Sequence, residues 1–203
     1  MAPMPTKQNL AVVCDGGYAT AVMLYGMIAK GYHPTIIYYH QKRGAKIPRT
    51  SLGIMAVRLD LNIHNIVATE GSATATDVRA MEFAMRSNMG IAFPYDDEAI
   101  IKILRTLWDT HPMRPKGVKL LFPLANRTKP SLVLEGSKCA IPWELTRDCA
   151  HGRVVTCASC ARCRSRAGAF AAAKVHDPTA YNKPPNIRPN ARHIRLPEAP
   201  KAD

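Results

Sequence analysis

The run LAVVCDGGYATAVMLY at residues 10–25 constrains the fold most. LAVVC (10–14) is apolar without alternation, which suits a strand buried on both faces of a parallel sheet. A Gly-Gly pair stops it, and a helical pattern begins at once. Between Tyr18 and Lys30 the apolar positions 22, 25, 28 and 29 share one helical face, and Gly31 reads as the C-cap. TIIYYH (35–40) is β-branched and aromatic and predicts a second strand. Residues 50–61 follow as a helix capped by Thr50 or Ser51, and IHNIVAT (63–69) as a third strand. This β-α-β-α-β order predicts an α/β fold with a doubly wound parallel sheet. A strand–Gly-Gly–helix junction is also how a chain builds a phosphate cradle at a helix N-terminus.

Further along, helices are expected over 74–89 and from Ala99 to Asp109, the latter capped by Asp96 or Asp97. VKLLF (118–122) predicts a strand ended by Pro123. Helices follow over 130–138, with Pro130 at its first position, and over the alanine-rich 164–174. Three regions are expected: a loose arm at 1–9, a domain at 10–181 and a tail at 182–203. Basic residues Lys183, Arg188, Arg192, Arg195 and Lys201 outnumber Glu198 and Asp203 in that tail, which is also rich in proline. It reads as extended until it meets a partner. The chain as a whole carries a net charge of +13, which suits anionic partners such as nucleotides or nucleic acid, or simply keeps it soluble. No apolar stretch approaches the ~18 residues of a membrane span, and no signal-type segment opens the chain. A cytoplasmic location and no membrane partner are expected.

Four of the six cysteines crowd into CAHGRVVTCASCARC (149–163), with the spacing C-x7-C-x2-C-x2-C. In a reducing compartment such crowding argues for a metal rather than disulfides. Cys149, Cys157, Cys160 and Cys163 as four thiolates suit a tetrahedral structural Zn2+ with no open position. An iron–sulfur cluster or free thiols are the alternatives, and His151 could replace one cysteine. Cys14 and Cys139 read as small buried hydrophobes.

The stretches FPLANRTKPSLVLEGSKCAIPWELTRDCAHG and CASCARCRSRAGAFAAAKVHDPTAY resemble the C-terminal half of the 7-cyano-7-deazaguanine synthase family. The matching positions are Pro123, Leu124, Lys129, Leu145 to Cys149, the clustered cysteines, Arg166, Gly168 to Phe170, and Asp177-Pro178. Residues 10–40 resemble the opening β-α-β unit of the same family. The resemblance implies a fold of the adenine-nucleotide alpha hydrolase type. It also implies a chemistry in queuosine and 7-deazaguanine biosynthesis. ATP adenylates 7-carboxy-7-deazaguanine, ammonia displaces AMP, and a second activation dehydrates the amide to the nitrile. Such members often form homodimers.

The family's loop reads Ser-Gly-Gly-x-Asp-Ser, whereas this chain has Asp15-Gly16-Gly17-Tyr18-Ala19-Thr20. Both glycines and one hydroxyl, on Thr20, are kept. Asp15 replaces a phosphate donor, and a carboxylate there repels a phosphate by several kcal/mol in a poorly solvated pocket. Asp15 could instead bring Mg2+ to the phosphates. Lys129 matches a phosphate-contacting, catalytic Lys, or is a solvated residue at a helix start. Arg86-Ser87-Asn88 and Tyr95-Asp96-Asp97 echo the family's middle segments only weakly. Trp143 either stacks on a base or packs in the core. Two functions are therefore open: an ATP-using enzyme of this pathway, or a relative that kept fold and zinc, lost ATP, and docks on nucleic acid or a protein assembly through its basic tail.

Overall fold

A computed structural model describes residues 8–40, 46–67, 72–149, 155–182 and 185. Strands β1 (Gln8–Val13), β2 (Tyr32–His40), β3 (Ile63–Val67), β4 (Gly90–Ala92) and β5 (Leu120–Leu121) form one sheet in the order β3-β2-β1-β4-β5. Every pairing is parallel. Helices α1 (Tyr18–Ala29), α2 (Lys46–Arg58), α3 (Ala73–Arg86), α4 (Glu98–Thr110), α5 (Lys129–Lys138) and α6 (Ala161–Ala172) connect and flank it.

Alternate β1 residues point to opposite faces, so the apolar run at 10–13 is buried twice over. Leu10 and Val12 pack with α1, α2, α5 and α6, through Val22, Met55, Val133 and Phe170. Ala11 and Val13 pack with α3 and α4, through Met81, Leu104 and Trp108. The chain winds outward from β1 through α1 and α2 on one face. It then returns through α3 on the other face to place β4 on β1's free side. The strand order therefore reverses between β1 and β4, and the crevice beyond their C-terminal ends is where α/β sheets take ligands.

Local chemistry sets the helix ends. Ser72 Oγ accepts from Ala75 N at 3.1 Å and caps α3. Asp97 Oδ1 accepts from Ala99 N and Ile100 N at 2.9 and 3.1 Å and caps α4. Thr128 caps α5, so Pro130 occupies its second position rather than its first. Helix α2 starts at Lys46, earlier than the Thr50 or Ser51 cap expected, with Pro48 tolerated in the first turn. Helix α6 begins at Ala161, three residues early, because the Cys160 sulfur serves as its N-cap acceptor. Strand β4 was not anticipated: three residues are too short to show a period. The expected arm and tail lie almost wholly outside the described residues. Among the described residues no helix is long and apolar enough to cross a membrane.

Trp143 settles as a core residue. Its ring meets Phe170 edge-on at 5.2 Å and lies over Gly136 on α5. A β-carbon at Gly136 would fall 2.1 Å from the Trp143 ring and 3.0 Å from Val22. Gly136→Ala would ordinarily favour a helix, but here overpacking reverses the sign. We expect a loss of about 1–3 kcal/mol, read as a lower urea midpoint with an unchanged slope.

Candidate active site at the end of β1 and the cysteine lobe

The turn after β1 begins with Cys14, whose backbone N donates to Ile37 O at 2.9 Å. Burial pushes its thiol far above the usual range. Gly16 takes φ +85°, which favours glycine. Gly17 is the extended N-cap of α1 and offers no side chain to the helix end. Asp15 folds back over the turn. Its Oδ1 accepts from Gly17 N at 2.9 Å and from the Thr20 hydroxyl at 3.0 Å, and Thr20 Oγ1 also reaches Gly17 O at 3.0 Å. Asp15 Oδ2 lies 3.7 Å from Arg162 in an exposed pair.

A second carboxylate arrives from far along the chain. Arg147 N donates to Gly16 O at 2.7 Å, which lays residues 147–148 against the turn. Asp148 Oδ2 then accepts from Tyr18 N at 3.3 Å. A β-carbon on Gly17 would sit 2.4 Å from Asp148 Oδ1, so this approach requires glycine. Burial raises the Asp148 carboxyl to about 6, with Arg166 lowering it and Asp15 raising it further. The negative charge at the mouth is therefore supplied twice.

Arg166 on α6 holds this arrangement. Its side chain is 1% exposed. Nη1 donates to Asp148 Oδ2 at 2.9 Å and Thr146 Oγ1 at 2.7 Å, and Nε to Asp177 Oδ1 at 3.0 Å. Nη2 donates to Trp143 O at 3.3 Å. The guanidinium also lies 4.8 Å from the Phe170 ring centroid and 5.9 Å from that of Tyr18. Asp177 takes further bonds from Thr179 and the Tyr181 hydroxyl. Burial works against ionising Asp177, yet Arg166 and these donors hold it below the usual carboxylate range.

The cysteine cluster lies one residue beyond Asp148. The sulfurs of Cys149, Cys157, Cys160 and Cys163 are all within 4.8 Å of one another. Cys157 and Cys163 are 3.7 Å apart, and Cys160 and Cys163 are 3.2 Å apart. These are too long for disulfides. The Cys157–Cys163 separation matches the roughly 3.8 Å expected around a tetrahedral ion with metal–sulfur bonds of about 2.3 Å, and Cys160 sits closer. Cys160 N and Cys163 N each donate to the preceding sulfur at 3.4 Å. The Cys160 amide leads the donors that lower the Cys157 thiol to about 5. Thiols brought together with amide donors are a metal-binding donor set. His151 lies outside the described residues.

Sequence reasoning did not foresee the Asp77 network. Tyr39 OH donates to Asp77 Oδ1 at 2.6 Å, and Tyr95 OH to Oδ2 at 2.8 Å. Tyr39 lies on β2, Asp77 on α3, and Tyr95 just after β4, so only the sheet order unites them. Burial raises the Asp77 carboxyl despite both phenols. The other predictions separate. Asp15, Gly16, Gly17 and Thr20 form one turn, but the hydrogen-bond partner of Lys129 is Ser165 on α6, at 2.8 Å, not a group of that turn. Asp97 is spent as a helix cap, and Arg86 pairs with Glu82 at the exposed end of α3. Cys14 is buried as expected. Cys139 is exposed at the end of α5, contrary to expectation, because the helix stops there facing solvent.

Arg166→Met strands two largely buried carboxylates. We expect it to cost about 3–5 kcal/mol in a denaturant titration, against about 0.5 or less for Arg86→Met at its exposed pair.

The sequence profile of the family described as "Queuosine biosynthesis protein QueC" matches residues 60–174, more than half the chain. The chain is 39% identical over 64 residues to a 7-cyano-7-deazaguanine synthase of Nostoc punctiforme, covering 32% of this chain and 29% of that one. It is 30% identical over 116 residues to the synthase of Brucella canis, covering 57% and 50%. The chain thus spans half or less of the length of these relatives. Among solved structures, NMN synthetase from Francisella tularensis aligns with a TM-score of 0.47 at 15% identity, over 73% of this chain and 68% of that one. With the profile running from the start of β3 through α6, and so taking in Asp148, Arg166 and all four clustered cysteines, this chain belongs to the QueC family.

Proposed function

We propose that the chain is a synthase of the 7-cyano-7-deazaguanine type, using ATP to convert 7-carboxy-7-deazaguanine and ammonia to the nitrile. The carrying observation is the membership of residues 60–174 in the QueC family, joined to a Gly-Gly turn at the N-terminus of α1. In this reading Gly16 and Gly17 let the backbone approach a phosphate, and the α1 dipole favours the charge. The Thr20 hydroxyl contributes a donor. Asp15 would hold Mg2+, which supplies charge neutralisation at the phosphates when bound. Lys129 would stabilise charge on the transferred group. Cys149, Cys157, Cys160 and Cys163 would hold a structural Zn2+, whose filled coordination keeps it out of the chemistry. Pairing of two such chains is an accompanying expectation.

A second reading is favoured by one observation: the Gly17 and Tyr18 amides already face carboxylates. A relative that lost ATP would keep fold and metal, and bind nucleic acid or a protein assembly through residues 182–203.

The assay is AMP release from ATP in the presence of 7-carboxy-7-deazaguanine and ammonium. We expect release that needs both, reduced at least about tenfold in Lys129→Ala, in the range for a charge-stabilising donor. No release would sink the enzyme reading. A salt-sensitive nucleic-acid affinity lost on removing 182–203 would then support the second. Metal content is a separate check. Native mass spectrometry should find one zinc per chain, absent in Cys157→Ser together with a lowered melting temperature.

A further inference from the structure

The geometry points to Asp148 as an internal anion seated on the N-terminus of α1, so that a phosphate group reaches the turn only by displacing it. This rests on the reading that the turn receives a triphosphate.

Helix N-termini present unpaired N–H groups and partial positive charge, so they take anions. Here Asp148 Oδ2 already accepts from Tyr18 N at the first position of α1. Its Oδ1 fills the space that any side chain at Gly17 would need, at 2.4 Å from an ideal β-carbon. The clearance that glycine gives a phosphate oxygen is thus used by a carboxylate oxygen of the same chain. Two anionic oxygens cannot share that volume.

The seat is held from two directions. Arg147 N donates to Gly16 O at 2.7 Å, which fixes the backbone beside the turn. Arg166 Nη1 bonds the Asp148 carboxylate at 2.9 Å and the Thr146 hydroxyl at 2.7 Å, from a side chain 1% exposed. Asp148 is itself only 15% exposed. Asp15 differs: its side chain is 53% exposed and belongs to the turn, so it can turn outward toward a Mg2+ on an entering phosphate. Asp148 is therefore the principal competitor. Competition of this kind acts on the phosphates and is indifferent to the base.

The test uses the full, metal-loaded chain and calorimetric titration with MgATP and with inorganic triphosphate. Asp148→Ser is expected to raise the association constant for both at least tenfold. Asp148→Asn, which keeps the volume and removes the charge, should give a smaller gain. Asp15→Asn should gain less than Asp148→Ser. Metal content and cooperative unfolding are followed in each variant, and Asp148→Asn decides the matter if Asp148→Ser does not fold. The proposal is overturned if the folded, metal-loaded variant binds neither ligand more tightly than the natural chain does. That includes the case where no form binds either ligand. The two readings fail separately. Tighter triphosphate binding without AMP release keeps the displaced carboxylate and removes the synthase. AMP release by the natural chain with no gain in the variants does the reverse.

Discussion

One buried guanidinium organises the functional half of this protein. Arg166 is 1% exposed and reaches Asp148, Asp177, Thr146 and the Trp143 carbonyl together. A charge so far from water is tolerable only when its donors are met by well-placed acceptors, and here two carboxylates and three neutral oxygens meet them. The same group fixes the 3-10 turn at Trp143–Leu145, the approach to Cys149, and the segment after α6. The turn at Gly16-Gly17 thereby receives its neighbour Asp148 from the cysteine lobe, and no local sequence feature of the turn dictates this.

The sheet explains why these parts meet. Because β4 returns to the free side of β1, the segments following β1 and β4 open onto one crevice. Asp15 follows the first, and Tyr95 and Asp96 the second. Asp77 on α3 lies within hydrogen-bond reach of Tyr39 and Tyr95 and ties the far wall together. Charges on opposite walls sense each other: Asp96 helps raise the Tyr18 phenol and Asp15 the Tyr95 phenol, each behind burial as the main cause. The crevice thus gathers carboxylates, Asp15 and Asp148 among them, in a chain whose net charge is +13. A whole-chain charge says little about one cleft.

The β-α-β frame was legible because its signals are local. LAVVC is apolar on both faces, Gly31 closes α1 at φ +84°, and Asp97 caps α4. The cysteine spacing likewise announced the clustering of its sulfurs. Helix ends missed by a residue or a few turn on local capping, as at Thr128 and Cys160, whereas the larger failures come from information held between distant residues. Arg166 and Asp148 stand 18 positions apart and on different elements, and nothing in either neighbourhood names the other. Asp77 reads as an ordinary helix residue until β2 and β4 bring two phenols to it. Strand β4 exists by pairing with β1 and β5, since three residues carry no pattern of their own.

The last described stretch closes back on the lobe. Thr156 N donates to Ala180 O, and Asn182 N donates to Thr156 O, both at 3.0 Å, in a bridge between Thr156 and Tyr181. Asp177 joins the same clasp through Arg166. During synthesis, then, the sheet and α1 can assemble while this segment is still inside the ribosome. The lobe cannot settle until the stretch through Asn182 has emerged. A nascent chain stalled before that point would leave four thiols without their closing clasp and a guanidinium short of one of its two carboxylates, open to whatever metals and proteases the cell supplies.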